Sequence, residues 1–198
     1  MEKKQQILLD LVRQRFASIV WTHKIHEKQA DIIYRKYQII MTANIVITAF
    51  TTCGILALFK TNDCIVKSLT CLLSFITTLT SVYIKHFDSL IDYKTYKKSA
   101  NEFLVIRNRL EKLIAEFYNP ETNYETLKDK FDEIDLKLEE LFLKAPITDN
   151  NAIKMANKGL KINKEYTFTN EEIDEFLPKS LSTKDFNNKN MEGNNDPN

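Results

Sequence analysis

The sequence predicts an all-α fold: a two-transmembrane helical hairpin with long cytosolic amphipathic helices forming a stalk or bundle. Residues 39–59 and 68–84 carry no charged side chain, and they are parted by the polar run Lys60-Thr61-Asn62-Asp63 and the few residues after it. As a helix the first stretch is roughly 31 Å long, about the hydrocarbon thickness of a bilayer. Three glycines and four prolines in 198 residues leave few turn-forming positions, which favours helices over a β architecture. Outside the apolar interval, hydrophobic residues return every three or four positions among Lys, Glu, Asp and Asn, the period of an amphipathic helix.

Residues 1–38 read as one amphipathic helix running into the first span, since neither glycine nor proline interrupts it. Leu8, Val12, Phe16, Ile19, His23, His26, Ala30, Ile33 and Tyr37 share one face, while Arg13, Arg15, Lys24, Lys28, Asp31 and Arg35 occupy the others. His23 and His26, with Glu27 beside them, fall on the apolar stripe. A helical histidine pair of that spacing can ligate a metal, but packed core histidines are the more frequent case on such a stripe. No metal or cofactor is expected. Buried histidines also make a helix contact sensitive to pH near neutrality. Trp21 is the single tryptophan. It lies about 27 Å before Ile39 along a straight helix, too far for an interfacial belt, so it is expected to pack against a helix or a subunit.

The hairpin occupies 39–84, with spans at 39–59 and 64–84 and a short outer loop at 60–63. Lys67 lies one turn inside the second span. There its ammonium can snorkel to the interface, at less than the roughly 2.5–3.5 kcal/mol of a lysine at mid-membrane. Lys24, Lys28, Arg35 and Lys36 precede the hairpin and Lys85, Lys94, Lys97 and Lys98 follow it, against Lys60 and Lys67 in the connector. That asymmetry puts both termini in the cytoplasm. Cys53 and Cys71 serve as small apolar residues within the spans, and Cys64 stands at the outer rim, where a link between subunits is the minor alternative.

A polar stripe runs along the second span. Lys67, Thr70, Ser74, Thr77 and Ser81 fall within an arc of roughly 80°, and Asn44, Thr48 and Thr51 repeat the pattern on the first. Assembled hairpins would turn the stripe into a hydroxyl-lined pore. Alternatively, small hydroxyl residues let membrane helices pack closely. Packing is the stronger reading of the pattern alone, and the two coexist if a closed state packs the stripe and an open state hydrates it.

Two helices follow within 85–147. Phe87, Ile91, Ala100, Phe103, Ile106 or Arg107, Leu110, Leu113 and Phe117 mark the first, which Asn119-Pro120 ends. Tyr124, Leu127, Phe131, Ile134, Leu138 and Leu141 give the second a near-heptad seam closed by Pro146, with charges such as Lys128, Asp132, Glu133, Lys137 and Glu139 outside. One amphipathic helix cannot bury its stripe alone, so these helices and 1–38 are expected to pack together, within or between subunits. Residues 148–198 are expected to hold a short helix opened by a capping box at Thr169 and Glu172, then a disordered tail from Pro178.

A formal net charge of +1 argues against direct DNA or RNA binding. The sequence holds no glycine-rich phosphate loop, GxSxG, HExxH or DxD run, so no catalytic residue is expected and an enzyme is the least favoured class. The charged first 38 residues are unlike a cleavable signal peptide, and the first span is expected to act as an uncleaved anchor.

The segment Val20-Trp21-Thr22-His23-Lys24-Ile25-His26-Glu27-Lys28-Gln29-Ala30-Asp31 leads through Arg35-Lys36 into the first span. With the tight hairpin, the helices after it and Pro146, it resembles the SLATT domains, the SMODS- and SLOG-associating two-transmembrane effectors of bacteria. The likeness covers residues 1–158 and makes Trp21, His23, Lys24, His26 and Glu27 family-motif or regulatory candidates. It implies a bacterial inner-membrane effector of antiphage defence. Such an effector acts as a homo-oligomer in the lipid bilayer, forming a pore or disrupting the membrane and killing or arresting the infected cell. The implied partner is a nucleotidyltransferase making a cyclic-oligonucleotide signal, felt by the cytosolic helices or by a separate sensor. Lys24, Lys28, Arg107 and Arg109 either meet phosphates there or form a solvated face, the default for such residues. The rival reading is a membrane-anchored helical scaffold that recruits a partner without pore activity. A soluble bundle would have to bury two all-round apolar helices under three others, which is poor geometry.

The hairpin predicts that the expressed chain sediments with membranes after lysis and enters the supernatant only with detergent. Ultracentrifugation and immunoblotting check this, and a chain soluble without detergent would exclude a lipid-embedded hairpin.

Overall fold

The amphipathic and apolar parts of the N-terminal region are one rod. In a computed structural model describing residues 3–60, 63–86 and 89–166, with Thr169 and Glu172, α1 runs Lys3–Leu58 without interruption. No proline occurs in it and no glycine before Gly54, so nothing removes a backbone bond or loosens the chain. At 1.5 Å per residue it is roughly 84 Å long, enough to be both stalk and span. Four more helices follow: α2 (Cys64–His86), α3 (Ser89–Glu116), α4 (Tyr124–Lys144) and α5 (Asn150–Asn157). No strand occurs among the described residues.

Local chemistry sets the helix ends. Asp63 opens α2, its Oδ1 accepting from the Ile65 N–H at 2.8 Å and its carbonyl from Lys67 at 3.2 Å. Asn123 caps α4 through Oδ1 and the Thr126 N–H, 2.8 Å apart, and Ala145 in extended conformation ends it just before Pro146. Asp149 caps α5 by accepting from Asn151 and Ala152 at 2.8 and 2.9 Å. This helix is absent from the expectation drawn for 148–198, although an aspartate ahead of Asn-Asn-Ala-Ile is a readable start signal. Thr61 and Asn62 of the outer loop and Phe87 lie outside the described residues.

The stalk joins the first half of α1 to α3, α4 and α5. Leu8, Leu9, Val12 and Ile19 of α1 meet Phe103, Ile106, Leu110, Leu113 and Phe117 of α3, and Leu127, Phe131, Ile134 and Leu138 of α4 complete the core. Two ties fix the register of α4 and α5 against α1. Arg15 pairs with Asp135 at 3.0 Å, and Gln29 Oε1 accepts from the Asp149 N–H at 3.0 Å. Both join residues 120 apart in sequence, so α4 and the start of α5 follow α1 in parallel with constant offset. Two expectations need correction. Ile91 is exposed rather than part of the α3 core face, because at that level it is Tyr93 that meets α1, its ring 5.0 Å from that of Tyr34. Lys24, assigned to a polar face, is 3% exposed, and its ammonium pairs with Glu27 of the same helix at 2.8 Å.

The chain divides into this unit, ending at Asn157, and a second beginning at Lys158. The second opens with a π-helical turn at Lys158–Ile162. In it Thr169 and Glu172 exchange both bonds of a capping box: Thr169 N–H to Glu172 Oε2 at 2.8 Å, and Glu172 N–H to Thr169 Oγ1 at 3.3 Å. The helix expected towards Leu177 and the tail from Pro178 lie outside the described residues.

The hairpin closes through small residues. Along α1 the half-buried or buried positions are Ile40, Asn44, Ile47, Thr51, Gly54 and Leu58, and along α2 they include Val66, Thr70, Leu73, Thr77, Thr80 and Ile84. Steps of four and three give each helix a 3.5-residue seam, the pattern of left-handed helix pairs. At Gly54 the side chain of Thr70 from α2 fills the space that a side chain on α1 would take. A Cβ there would stand 2.4 Å from Thr70 Oγ1 and 3.3 Å from Thr70 Cγ2. Gly54→Ala is therefore expected to overpack the seam at a cost of roughly 1–3 kcal/mol, and Thr70→Ala in the same chain to restore it. Thermal unfolding in detergent tests the pair, and an equally destabilised double variant would show that this contact does not set the helix separation.

Candidate functional site

Only 6% of the most apolar window in α1, and 6% of that in α2 and the helix beyond, is buried within the chain. Ile45, Phe50, Leu56, Phe75, Leu79 and Val82 are all exposed. A continuous apolar surface on two helices of spanning length needs an apolar solvent. The hairpin is therefore the part of the fold that meets lipid.

The polar stripe resolves into two sets. Thr70 and Thr77 enter the seam with Thr51 and Asn44, whereas Lys67, Ser74 and Ser81 on α2 and Thr48 on α1 are exposed. Thr80, missing from the stripe, belongs to the seam. Its hydroxyl donates to Asn44 Oδ1 at 2.6 Å, and Asn44 Nδ2 donates to Ser81 Oγ at 3.4 Å. The stripe is rotated by roughly 60° from the seam, so it straddles the seam's edge. Viewed from one end, antiparallel right-handed helices wind in opposite senses, so residues just past the seam on each helix share one side of the hairpin. Thr48, Ser74 and Ser81 thus share a flank, with Lys67 at its outer end. The threonine hydroxyls of the spans donate to their own backbone, as Thr48 does to Asn44 O at 2.7 Å and Thr77 to Leu73 O at 2.8 Å. Each such oxygen keeps its acceptor lone pairs.

In the stalk, α3 covers the histidine pair. The His26 ring lies 5.1 Å from that of Phe103 and 6.1 Å from that of Tyr96, whose hydroxyl donates to the Ile147 carbonyl. Beside it Lys24 Nζ donates to Glu27 Oε2 at 2.8 Å. Burial lowers the pKa of His23 from 6.5 to about 4. Arg107, Lys24 and Lys97 add to the shift, and Glu27 opposes it. Burial also lowers His26. Among the described residues neither histidine belongs to a cluster of three metal-ligating side chains. Trp21 is half-buried on the same helix.

The profile of SMODS and SLOG-associating 2TM effector domain family 4 matches residues 8–172. This chain belongs to that family. No curated protein and no solved structure gives a match. The SLATT match runs from the first turns of α1 to Glu172 and so takes in both stalk and hairpin. A SLATT chain is a two-transmembrane effector domain associated with SMODS and SLOG systems, which makes this a membrane protein. Of the motif residues, His23 and His26 are buried beside α3, Lys24 is buried as well, and Glu27 is half-buried. Lys24 is thus not a solvated cation. Gly54 and Thr80 went unread in the sequence; Gly54, the only glycine within a span, was the available signal.

The histidines make the SLATT stalk sensitive to acid. A folded pKa of about 4 against 6.5 means that the folded state prefers neutral His23. Its contribution is complete above pH 6.5 and is lost as pH falls from 6.5 towards 4, on the order of 3 kcal/mol in all. Thermal unfolding of the detergent-solubilised protein should fall over that window. The fall should be smaller in His23→Gln, which keeps only the shares of His26 and the carboxylates. An identical pH slope in the variant would show that His23 is not held neutral.

Proposed function

We propose that this protein is a bacterial inner-membrane effector of nucleotide-signalled antiphage defence, with both termini in the cytoplasm. It oligomerises and permeabilises the membrane on activation, killing or arresting the cell. The observation that carries the reading is an apolar hairpin, almost wholly exposed, whose first span continues unbroken into a folded stalk. A change in stalk packing reaches the span without crossing a flexible joint. The SMODS and SLOG association of the family supports the signalling context. In that context a partner nucleotidyltransferase makes a cyclic oligonucleotide, which acts on the stalk or through a separate sensor.

The flank through Thr48, Ser74 and Ser81 is the proposed lining. Several hairpins turning it inward would present hydroxyl oxygens in place of an ion's water, with Lys67 at the rim. The remaining sides are apolar and keep their contact with lipid. Activation is a shift between two packings of the hairpins, and the signal drives it by its higher affinity for the open one.

In cells overproducing the chain, the reading predicts membrane depolarisation and uptake of an otherwise impermeant dye. Ser74→Leu, exposed and outside the seam, is expected to remove most of that uptake while leaving membrane incorporation unchanged. Normal uptake in Ser74→Leu would take the flank out of the permeation path, and intact membranes with the wild-type chain would favour the scaffold.

A further inference from the structure

α4 has two unlike sides. Leu127, Phe131, Ile134 and Leu138 face the core. On the opposite side Leu136 and Leu143 are 66% and 88% exposed, and their seven-residue spacing puts them on one line. Within an arc of about 120° around that line stand Glu125, Asp129, Asp132, Glu133, Glu139 and Glu140, all exposed, and no lysine or arginine. Lys137 and Lys144 reach Glu133 and Glu140 from the edges, as exposed pairs of small energetic weight.

α3 has the reverse character. Its side opposite Phe103 and Leu110 presents Lys94, Lys98, Arg109 and Lys112 around the half-exposed Val105. A shallow groove of about 390 Å³ runs between Tyr93 and Val105. Two carboxylates stand on this side: Glu102 lines the groove and pairs with Lys98 at 3.9 Å, and Glu116 is engaged by Lys130 at 2.6 Å.

We propose that the acidic, leucine-bearing face of α4 docks on the basic outer face of α3 of a second copy of this chain. The inference rests on the reading that the protein assembles in the membrane. An acidic face cannot meet itself without like-charge repulsion, so a two-fold pairing through α4 is disfavoured and a head-to-tail contact is favoured. The bilayer holds every hairpin upright at one height. Successive contacts then rotate about the membrane normal and close into a ring, not an open filament. Height also sets the register. Within one chain Arg109 stands beside Glu133, 4.0 Å apart, and Glu116 beside Lys130. At equal height Val105 of one copy therefore meets the level of Leu136 and Glu140 of the next, and Lys112 the level of Asp132.

The test is charge exchange in the full chain, with mass measured by light scattering in detergent and helicity checked by circular dichroism. Asp132→Lys, Glu139→Lys and Glu140→Lys together should reduce the assembly to single chains, as should Arg109→Glu with Lys112→Glu on α3. Mixing the two reversed chains should recover complexes between them. A wild-type chain that is monomeric, or reversed chains that keep the wild-type mass, would overturn the proposal. Loss without recovery on mixing would overturn it too, because the α3 and α4 faces would then not be each other's partners. Dye uptake by wild-type cells separates the two claims. Uptake with an unaltered assembly in the reversed chains defeats the docking alone. A charge-dependent assembly without uptake defeats permeabilisation alone.

Discussion

Two adjacent helices whose apolar surface the rest of the chain does not cover impose the constraint on which this structure depends. In water the exposed Phe50, Phe75 and their neighbours would drive aggregation, whereas in a bilayer they are already solvated. Lipid offers no partner for backbone N–H and C=O groups, so the spans must be helical and their polar side chains must find local acceptors. The threonines comply by bonding to the carbonyl one turn back, and Asn44 by bridging to Thr80 and Ser81. Lipid also removes the hydrophobic drive for helix pairing, leaving close van der Waals approach, which the missing side chain of Gly54 permits.

Continuity of α1 couples this membrane element to a core of a different kind. The stalk is held by ordinary burial, Phe103 and Leu110 closing on Val12 and Ile19. At its upper part, nearer the hairpin, that apolar packing gives way to His23, Lys24, His26 and Gln29, all buried. Lys24 and Gln29 there are held by Glu27 and the Asp149 backbone, and such contacts are lost abruptly when geometry changes. A polar layer between an apolar core and a lipid-solvated hairpin is a natural place for two packings of similar energy.

Periodicity made most of the helical layout legible. A continuous α1 follows from the lack of breakers, and the α4 stripe of Leu127, Phe131, Ile134 and Leu138 is buried in the structure as its spacing implies. Less legible was which neighbour each face meets. Lys24 reads as a surface cation because charge is its most visible property, yet the fold buries it and Glu27 satisfies it. The hydroxyl stripe of α2 reads as one feature because its members share an arc. The rotation of α2 against α1 divides it, taking Thr70 and Thr77 inward and leaving Lys67, Ser74 and Ser81 outside.

What the sequence determined by itself is the class of solvent for each segment and the helical period, since both follow from side-chain chemistry within one or two turns. An apolar run of bilayer length and amphipathic stretches capped by Asn, Asp and Pro leave few other folds open. The tertiary structure alone decided helix rotation and pairing: the seam through Gly54 and Thr70, the burial of Lys24, the docking of α5 by Gln29 and Asp149, and the opposite charge of the outer faces of α3 and α4. A rotation of 60° about a helix axis leaves every local interaction unchanged and alters only what lies across from it. That information resides in the complementarity of distant surfaces and in no single window of residues.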